Sequence, residues 1–267
     1  MHIMDTGINT KELNIRDISI KSGQRPAVCV PLMGHDDEQI IKHLDSIIKE
    51  SSETKIDIVE FRGDYYTNLQ DFQQLKNILT IVRNALGDKV LLFTIRSPKE
   101  GGEAREYTKT IEEINSFVIE NKLADIVDIE LYCDGHISEL IQLATNSQVK
   151  IIMSNHDFKK TPSKEEIVSR LLEMQSLGAH IAKIAVMPES KQDLDTLLSA
   201  TLEANKRGNG SPIVSMSMGA IGEQSRILGE MYGSAITFGC VGQPSAPGQL
   251  QVRVLNEMLD KVHSEAV

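Results

Sequence analysis

The sequence is poor in the residues and segments that mark several classes of protein. It has no tryptophan, 4% aromatic residues and three cysteines, Cys29, Cys133 and Cys240, among its 267 residues. Widely spaced cysteines of odd number, without a CxxC pair, argue against a disulfide framework or a zinc cluster and fit a reducing cytoplasm. The N-terminus lacks a signal-peptide core, and no apolar run reaches the about 18 residues of a membrane span. We therefore expect a cytoplasmic protein without a membrane segment.

Positive charge is also scarce. Lysine and arginine number 28 against 38 aspartates and glutamates, so the formal net charge is −10, and no dense basic block occurs. A duplex-binding surface usually carries such a block, so nucleic acid is not an expected partner. An anionic substrate must then be captured by locally placed cations. There is also no linker long enough to divide the chain, which predicts a single domain over residues 1–267.

Short apolar runs alternate with longer amphipathic ones along the chain. The predicted strands are 27–32, 56–61, 90–95, 125–131, 149–154, 181–186, 211–216 and 234–238, and the predicted helices are 36–50, 69–86, 103–120, 136–146, 163–177, 190–206, 221–231 and 248–262. Eight strands, each followed by a helix, favour an α/β fold of the (β/α)8 TIM-barrel class, which needs about 250 residues. Residues 13–20 alternate around a polar pair, which predicts a short β-hairpin within an N-terminal extension, residues 1–25.

The ends of the predicted strands are unusually polar. In a strand, residues i and i+2 face the same side. Three strands carry polar residues on one parity, namely Glu60 with Arg62, Thr94 with Arg96, and Ser154 with His156. Since a barrel builds its active site from these strand ends, the shared parity predicts one polar interior at the C-terminal mouth.

Lys183 is the only cation in the apolar run 179–186. Desolvation disfavours an ammonium, so burial, helped by neighbouring cations such as Arg62, is expected to make the amine a nucleophile near neutral pH. That requires its pKa to fall by about 3 units, roughly 4 kcal/mol. The alternative is a structural lysine whose stem is buried while its head reaches solvent or a carboxylate.

The other polar residues also have structural interpretations. Glu60 and Arg62 could form a buried ion-pair layer, and His156 could be a loop histidine. Residues 239–249, rich in glycine and proline, could be a plain loop or a lid over the barrel mouth. The available metal ligands are Glu60, Asp128, Glu130, His136 and His156, but neither an HxH nor an HExxH pair occurs. We therefore expect no metal site.

Taken together, five motifs in order along nearly the whole chain resemble the type I 3-dehydroquinate dehydratase family. Residues 60–64 (EFRGD) resemble its E-x-R-x-D, and residues 93–103 (FTIRSPKEGGE) resemble its F-T-x-R-(S/T) followed by E-G-G. Residues 154–158 (SNHDF) resemble its S-x-H-D-F, Lys183 lies where the Schiff-base lysine follows, and Arg226, Ser245 and Gln249 complete the set.

The resemblance implies a hydro-lyase of the shikimate pathway that eliminates water from 3-dehydroquinate. The catalytic residues it implies are Lys183 as the imine-forming amine, His156 as the base and acid, and Glu100 as the group that orients the histidine. The substrate-binding residues it implies are Glu60, Arg62, Arg96, Arg226, Ser245, Gln249, Met216 and Met218. It implies a homodimer and no cofactor.

Two other functions are compatible with a buried lysine in a barrel. A class I aldolase-like enzyme also forms a Schiff base, but it predicts carbon–carbon cleavage and often a phosphate site near the last two strands. The S-x-H-D-F motif argues against it. A non-catalytic metabolite-binding barrel would be favoured if Lys183, His156 or Glu100 were missing, and all three are present.

Overall fold

A computed structural model of the chain describes residues 8, 10–103 and 109–266. A hairpin of two antiparallel strands precedes eight parallel strands. The hairpin is β1 (Leu13–Ile15) with β2 (Ile18–Ile20), and the parallel strands are β3 (Ala27–Leu32), β4 (Ile58–Arg62), β5 (Val90–Thr94), β6 (Ile126–Glu130), β7 (Lys150–Asp157), β8 (Ile181–Val186), β9 (Ile213–Ser217) and β10 (Ile236–Phe238). The strand order is β10-β3-β4-β5-β6-β7-β8-β9, and a bridge between Ile213 and Ser234 closes the ring. The predicted barrel and hairpin are confirmed.

Eight helices surround the parallel strands. They are α1 (Asp37–Ser51), α2 (Phe72–Ala85), α3 (Ile111–Glu120), α4 (Ile137–Ser147), α5 (Lys164–Ser176), α6 (Lys191–Arg207), α7 (Gly219–Tyr232) and α8 (Val252–Ala266). Several begin at a side-chain cap, such as Ser163, which accepts the Glu166 backbone N–H of α5. In the described part of the chain, no helix is long and apolar enough to cross a membrane.

Strand parity divides the apolar residues into an interior set and an outer set. Ile58, Leu92 and Ile152 belong to a cluster inside the barrel, whereas their neighbours Val59 and Phe93 pack in the outer layer against the helices. The interior cluster also includes Ile15 and Ile20 of the hairpin. Because these pack with residues at the starts of the strands, the hairpin covers the N-terminal end of the barrel.

Register brings the polar strand ends to one level. Glu130 pairs with Ser154, and Ser154 pairs with Lys183 on the next strand. On the other side of the barrel, Arg62 pairs with Thr94. Parallel pairing therefore places these polar side chains in one ring near the C-terminal mouth.

Several predicted boundaries differ from the observed ones, and three of these differences lie on the C-terminal side of the barrel. The helix predicted over 103–120 includes residues 104–108, which lie outside the described residues, and α3 begins only at Ile111, after a capping box between Thr110 and Glu113. Strand β7 continues to Asp157, so His156 lies within the strand. The helix predicted from residue 248 begins at Val252, because Gly248 has a φ of +77° and lies against the backbone of Gly219.

Candidate active site

One cavity opens at the C-terminal mouth of the barrel. All eleven residues that the resemblance implied for the site line it: Glu60, Arg62, Arg96, Glu100, His156, Lys183, Met216, Met218, Arg226, Ser245 and Gln249. Gly101, Phe158, Ala185, Phe238 and Ala246 complete the lining. The fold thus brings together residues that are separated by up to 189 positions in the chain.

Lys183 projects from β8 into this cavity and is 4% exposed. Its Nζ lies 3.6 Å from Asp128 Oδ2 and 3.9 Å from Glu60 Oε1, and 4.6 Å from the centre of the Phe238 ring. The expected burial is present. The charged groups within 4 Å of the amine are carboxylates, however, whereas we expected a neighbouring cation such as Arg62.

Arg62 forms an ion pair with Asp64. Its Nε and Nη2 donate to the two carboxylate oxygens of Asp64 at 2.9 and 2.8 Å. Asp64 is fully buried and also accepts the backbone N–H of Glu103 at 3.2 Å. A planar fork on a carboxylate leaves the guanidinium little rotational freedom. Asp64 therefore fixes the orientation of Arg62 at the edge of the cavity.

Arg96 lies among several carboxylates. Its Nη1 donates to Glu130 Oε1 and to Ser154 Oγ, each at 2.9 Å, and its Nη2 donates to Asp128 Oδ2 at 2.9 Å. Burial by itself would lower the pKa of Arg96, but Asp128 and Glu130 outweigh it and raise the pKa. Burial by itself would likewise raise the pKa of Asp128, yet Arg96 and Lys183 hold it below the ordinary value. Arg96 is thus the main cation that keeps Asp128 ionised.

His156 and Glu100 form a directly bonded pair. His156 Nδ1 lies 2.8 Å from Glu100 Oε2, and the same oxygen accepts the backbone N–H of His156 at 2.9 Å. Burial lowers the pKa of His156, with Arg96 and Lys183 adding to the effect, so its ring is neutral at pH 7. When Glu100 is ionised, Nδ1 carries the ring proton and Nε2 is left as an acceptor. That is the arrangement a general base requires.

Arg226 on α7 is a buried cation of a different kind. Its side chain is 2% exposed, and its contacts are with weak or distant acceptors. Its Nη2 lies 3.2 Å from Pro247 O, and its Nη1 lies 3.4 Å from Phe238 O and 3.6 Å from Met216 Sδ. Its Nε has no hydrogen-bond partner, and none of the described carboxylates lies within 4 Å of it. Burial lowers its pKa to about 10. A buried guanidinium without a counter-charge is a site for an anion from outside the protein.

The segment 239–249 reaches over the cavity with Ser245 and Gln249. Gln249 Nε2 donates to Ser245 Oγ at 3.0 Å, and the Ser245 backbone N–H donates to Gln249 Oε1 at 2.8 Å. The start of the segment is held by His43 on α1, which contacts Val241 O at 2.9 Å. Met216 and Met218 line the cavity from the end of β9 and the start of α7.

Of the metal ligands considered from the sequence, His136 does not reach the cavity. It is an exposed residue at the start of α4, where its Nδ1 lies 3.3 Å from Glu112 Oε1. Asp128 and Glu130 do lie close together, but they are bonded to Arg96.

The sequence pattern gave Asp64 and Asn155 no site role, and it offered Asp128 and Glu130 only as available metal ligands. Strand parity could have placed Asp128 and Glu130 inside, because both share the parity of Ile126 on β6, which packs in the interior. Asp64 stands within the motif of residues 60–64. Nothing in the local pattern marked Asn155, which has the opposite parity to His156.

The fold and the site together define an α/β-barrel enzyme with a buried amine and a histidine–carboxylate pair at its C-terminal mouth. Residues 28–266 match the family model described as type I 3-dehydroquinase. The chain belongs to this family.

Individual relatives agree with this assignment. The chain is 45% identical over 255 residues to the 3-dehydroquinate dehydratase of Clostridium novyi, covering 95% of this chain and 99% of that protein. A crystal structure of the type I enzyme from Clostridium difficile, with covalent modified comenic acid, superposes with a TM-score of 0.89 at 40% identity, covering 96% and 99% of the two chains. The structure of the Geobacillus kaustophilus enzyme also gives 0.89, at 30% identity and 99% coverage of both chains.

Proposed function

We propose that this protein converts 3-dehydroquinate to 3-dehydroshikimate by eliminating water through an imine on Lys183, and so serves the shikimate pathway. The observation that carries the proposal is one cavity, in a chain of this family, that joins a buried amine, a histidine–carboxylate pair and an arginine with no described carboxylate within 4 Å. The names of the relatives support the choice of substrate.

The lysine supplies an electron sink. In the proposed first step, the amine of Lys183 attacks the C3 ketone in its unprotonated form, and loss of the ketone oxygen as water, with uptake of one proton, leaves an iminium. A proton next to a ketone is a poor acid, but the positive iminium stabilises the carbanion that forms when this proton leaves. Because the protein's own amine provides this stabilisation, the reaction requires neither a metal nor an organic cofactor.

His156 would then move the proton. Its free Nε2 accepts a proton from C2, while Glu100 holds Nδ1 and stabilises the positive ring. The same proton passes to the C1 hydroxyl, which leaves as water and completes a net syn elimination. Hydrolysis of the imine releases the product and restores the lysine.

The remaining residues would hold the substrate. Arg226 binds its carboxylate, since a guanidinium forms two parallel hydrogen bonds with a carboxylate. Glu60, Arg62 and Arg96 bind ring hydroxyls and balance charge. Ser245 and Gln249 reach the substrate from the segment 239–249, which closes as a lid, while Met216 and Met218 pack against the ring.

We also propose that the chain forms one catalytic barrel domain, with residues 1–25 as an N-terminal extension, and that it acts as a homodimer in the cytoplasm. Packing of Ile15 and Ile20 into the barrel interior supports the single domain. The three cysteines are free thiols, which fits a reducing compartment. Sedimentation equilibrium of the purified chain tests the dimer, because a monomer mass at all concentrations would contradict it.

Reduction with borohydride tests the proposed reaction directly. In the presence of 3-dehydroquinate we expect a stable secondary amine on Lys183, detected as a mass increase of the intact protein and mapped to the peptide that contains this residue. Protein treated with borohydride alone is the control. An adduct on another lysine would contradict the assignment of the imine to Lys183, and the absence of any adduct would contradict the Schiff-base mechanism. Without borohydride, cleavage of a carbon–carbon bond of the substrate instead of formation of a conjugated ketone would favour the aldolase-like alternative.

Replacing Arg226 with methionine should separate binding from stability. We expect KM to rise about 10- to 100-fold, because hydrogen bonds to charged groups contribute about 1.5–3 kcal/mol. The free energy of unfolding should rise by about 1 kcal/mol, since a buried cation without a counter-charge is replaced by an apolar side chain of similar length. Steady-state kinetics and urea unfolding measure the two effects. An unchanged KM would contradict the role of Arg226 in carboxylate binding.

A further inference from the structure

We propose that Asn155, held in place by Arg170, is a positioning residue for the pair Glu100–His156 and sets the pH range in which this pair works as a base. The inference rests on the proposed function, because it concerns the same pair. It adds two residues that line no part of the cavity. Arg170 lies on α5, outside the barrel, so the pair connects the outer helix layer to the active site.

A chain of hydrogen bonds runs from α5 to the histidine. Arg170 Nη1 donates to Asn155 Oδ1 at 2.7 Å, and Asn155 Nδ2 donates to Glu100 Oε1 at 2.9 Å. Glu100 in turn receives His156 Nδ1 on its other oxygen, Oε2. Asn155 is 5% exposed, so these bonds are shielded from water. The other terminal nitrogen of Arg170, Nη2, donates to Glu166 Oε1 one turn earlier on the helix.

The direction of the Asn155 amide follows from its partners. An arginine can only donate, so the amide oxygen must face Arg170 and the amide nitrogen must face Glu100. If the amide turned over, its oxygen would face a carboxylate and its nitrogen would face a guanidinium. Arg170 therefore keeps an N–H donor directed at Glu100. A donor on each oxygen holds the carboxylate in the one orientation that also meets the Nδ1 of His156.

The bond from Asn155 also acts on the charge of Glu100. The charged and titratable groups around this carboxylate are Arg96 at 3.6 Å, Glu130 and Asp128 on β6, His156 on β7, and Arg170 with Glu166 on α5 behind Asn155. Burial raises the pKa of Glu100 to about 7, and Glu130 adds to this, while Arg96 and the Asn155 hydrogen bond oppose it. A donor to a carboxylate favours its ionised form. Without the amide, the pKa of Glu100 rises further.

Loss of the Asn155 hydrogen bond should restrict activity to higher pH. The base needs Glu100 ionised, so turnover is lost as the pH falls through the pKa of this group. Raising that pKa moves the acid limb of the pH profile to higher pH. Loss of one hydrogen bond to a charged group is expected to move the limb by about 1 pH unit.

The test is the pH dependence of kcat for the purified full chain with 3-dehydroquinate. We expect the acid limb of Asn155→Leu to move up by about 1 pH unit. Arg170→Met should move it in the same direction by less, because the amide remains but is free to turn. In the double variant the Arg170 change should add nothing, since Arg170 acts through Asn155. Arg207→Met, which removes an equivalent ion pair with Glu203 four residues earlier on α6, is the matched control and should leave the limb unchanged.

The possible results separate this inference from the proposed function. If kcat of Asn155→Leu fell equally at all pH values and the acid limb did not move, Asn155 would be only structural and the inference would be wrong. An inactive wild type would instead refute the proposed function. Arg170→Met provides an independent test should Asn155→Leu not fold. A second measurement needs no substrate, because the protonated carboxyl group of Glu100 can be followed by infrared spectroscopy. The band is assigned to Glu100 by its loss in Glu100→Gln, and it should titrate at higher pH in Arg170→Met than in the wild type. An unchanged titration would overturn the inference.

Discussion

Replacing Lys183 with methionine is expected to reduce turnover of 3-dehydroquinate by about 10⁴-fold or more, since without the amine no imine forms and the C2 proton keeps its low acidity. Methionine has nearly the length of lysine and fits a site that is already buried. The loss should therefore come from missing chemistry and not from a cavity. Steady-state assays at high enzyme concentration measure the residual rate.

The fold should tolerate this change. Asp128 loses the amine 3.6 Å away but keeps its 2.9 Å bond to Arg96. Glu60 loses its one described cation within 4 Å, but it keeps the hydrogen bond from Thr94 and the more distant charges of Arg62 and Arg96. Borohydride should then give no adduct with substrate. Lys150→Met is the matched control, because Lys150 is also a strand lysine but lies at the start of β7, at the other end of the barrel. Activity in Lys183→Met within tenfold of the wild type would exclude a Schiff base on this residue.

Replacing His156 with alanine is expected to separate imine formation from the elimination of water. Turnover should fall by about 10²- to 10⁴-fold, which is the usual contribution of a general acid–base. Imine formation should continue, because the amine of Lys183 and the anion site at Arg226 are unchanged. The measurement is paired: the rate of product formation, and the mass of the borohydride adduct from the same preparation.

The two measurements together identify the role of His156. Full turnover in His156→Ala would contradict its assignment as the base. Loss of both turnover and adduct would place His156 in the imine-forming steps instead. His180→Ala provides a control, since His180 is a partly buried histidine just before β8 that bonds the backbone of Ile151 and does not line the cavity.

The order of elements and the meeting of the polar strand ends were predictable from local rules, whereas Arg226, Ser245 and Gln249 were assigned to the site only by the family resemblance. Alternation of short apolar and longer amphipathic runs defines a parallel barrel, and the closed barrel then brings all strand ends to one mouth. Parity within each strand decides which side chains point inward. For this reason Glu60, Arg96 and His156 could be assigned to one interior without knowledge of any contact.

The partners of these residues were not predictable, because they depend on side-chain geometry between elements distant in the chain. Lys183 illustrates this. Its burial follows from the apolar run around it, but its nearest charged neighbours are Asp128 and Glu60, and the expected cation Arg62 is bound to Asp64. Which cation meets which carboxylate is decided by distances of a few tenths of an ångström.

The sequence by itself determined the barrel, the family and the set of residues at the mouth, since hydrophobic periodicity and motif order are properties of the chain. Only the tertiary structure decided how these residues are charged and oriented. Among the described residues it places no carboxylate within 4 Å of Arg226, and it bonds Arg96 to Asp128 and Glu130. It also links His156 through Glu100 and Asn155 to Arg170 on an outer helix. The physical reason is that burial and hydrogen bonding act over a few ångströms in space, between residues that no local pattern connects.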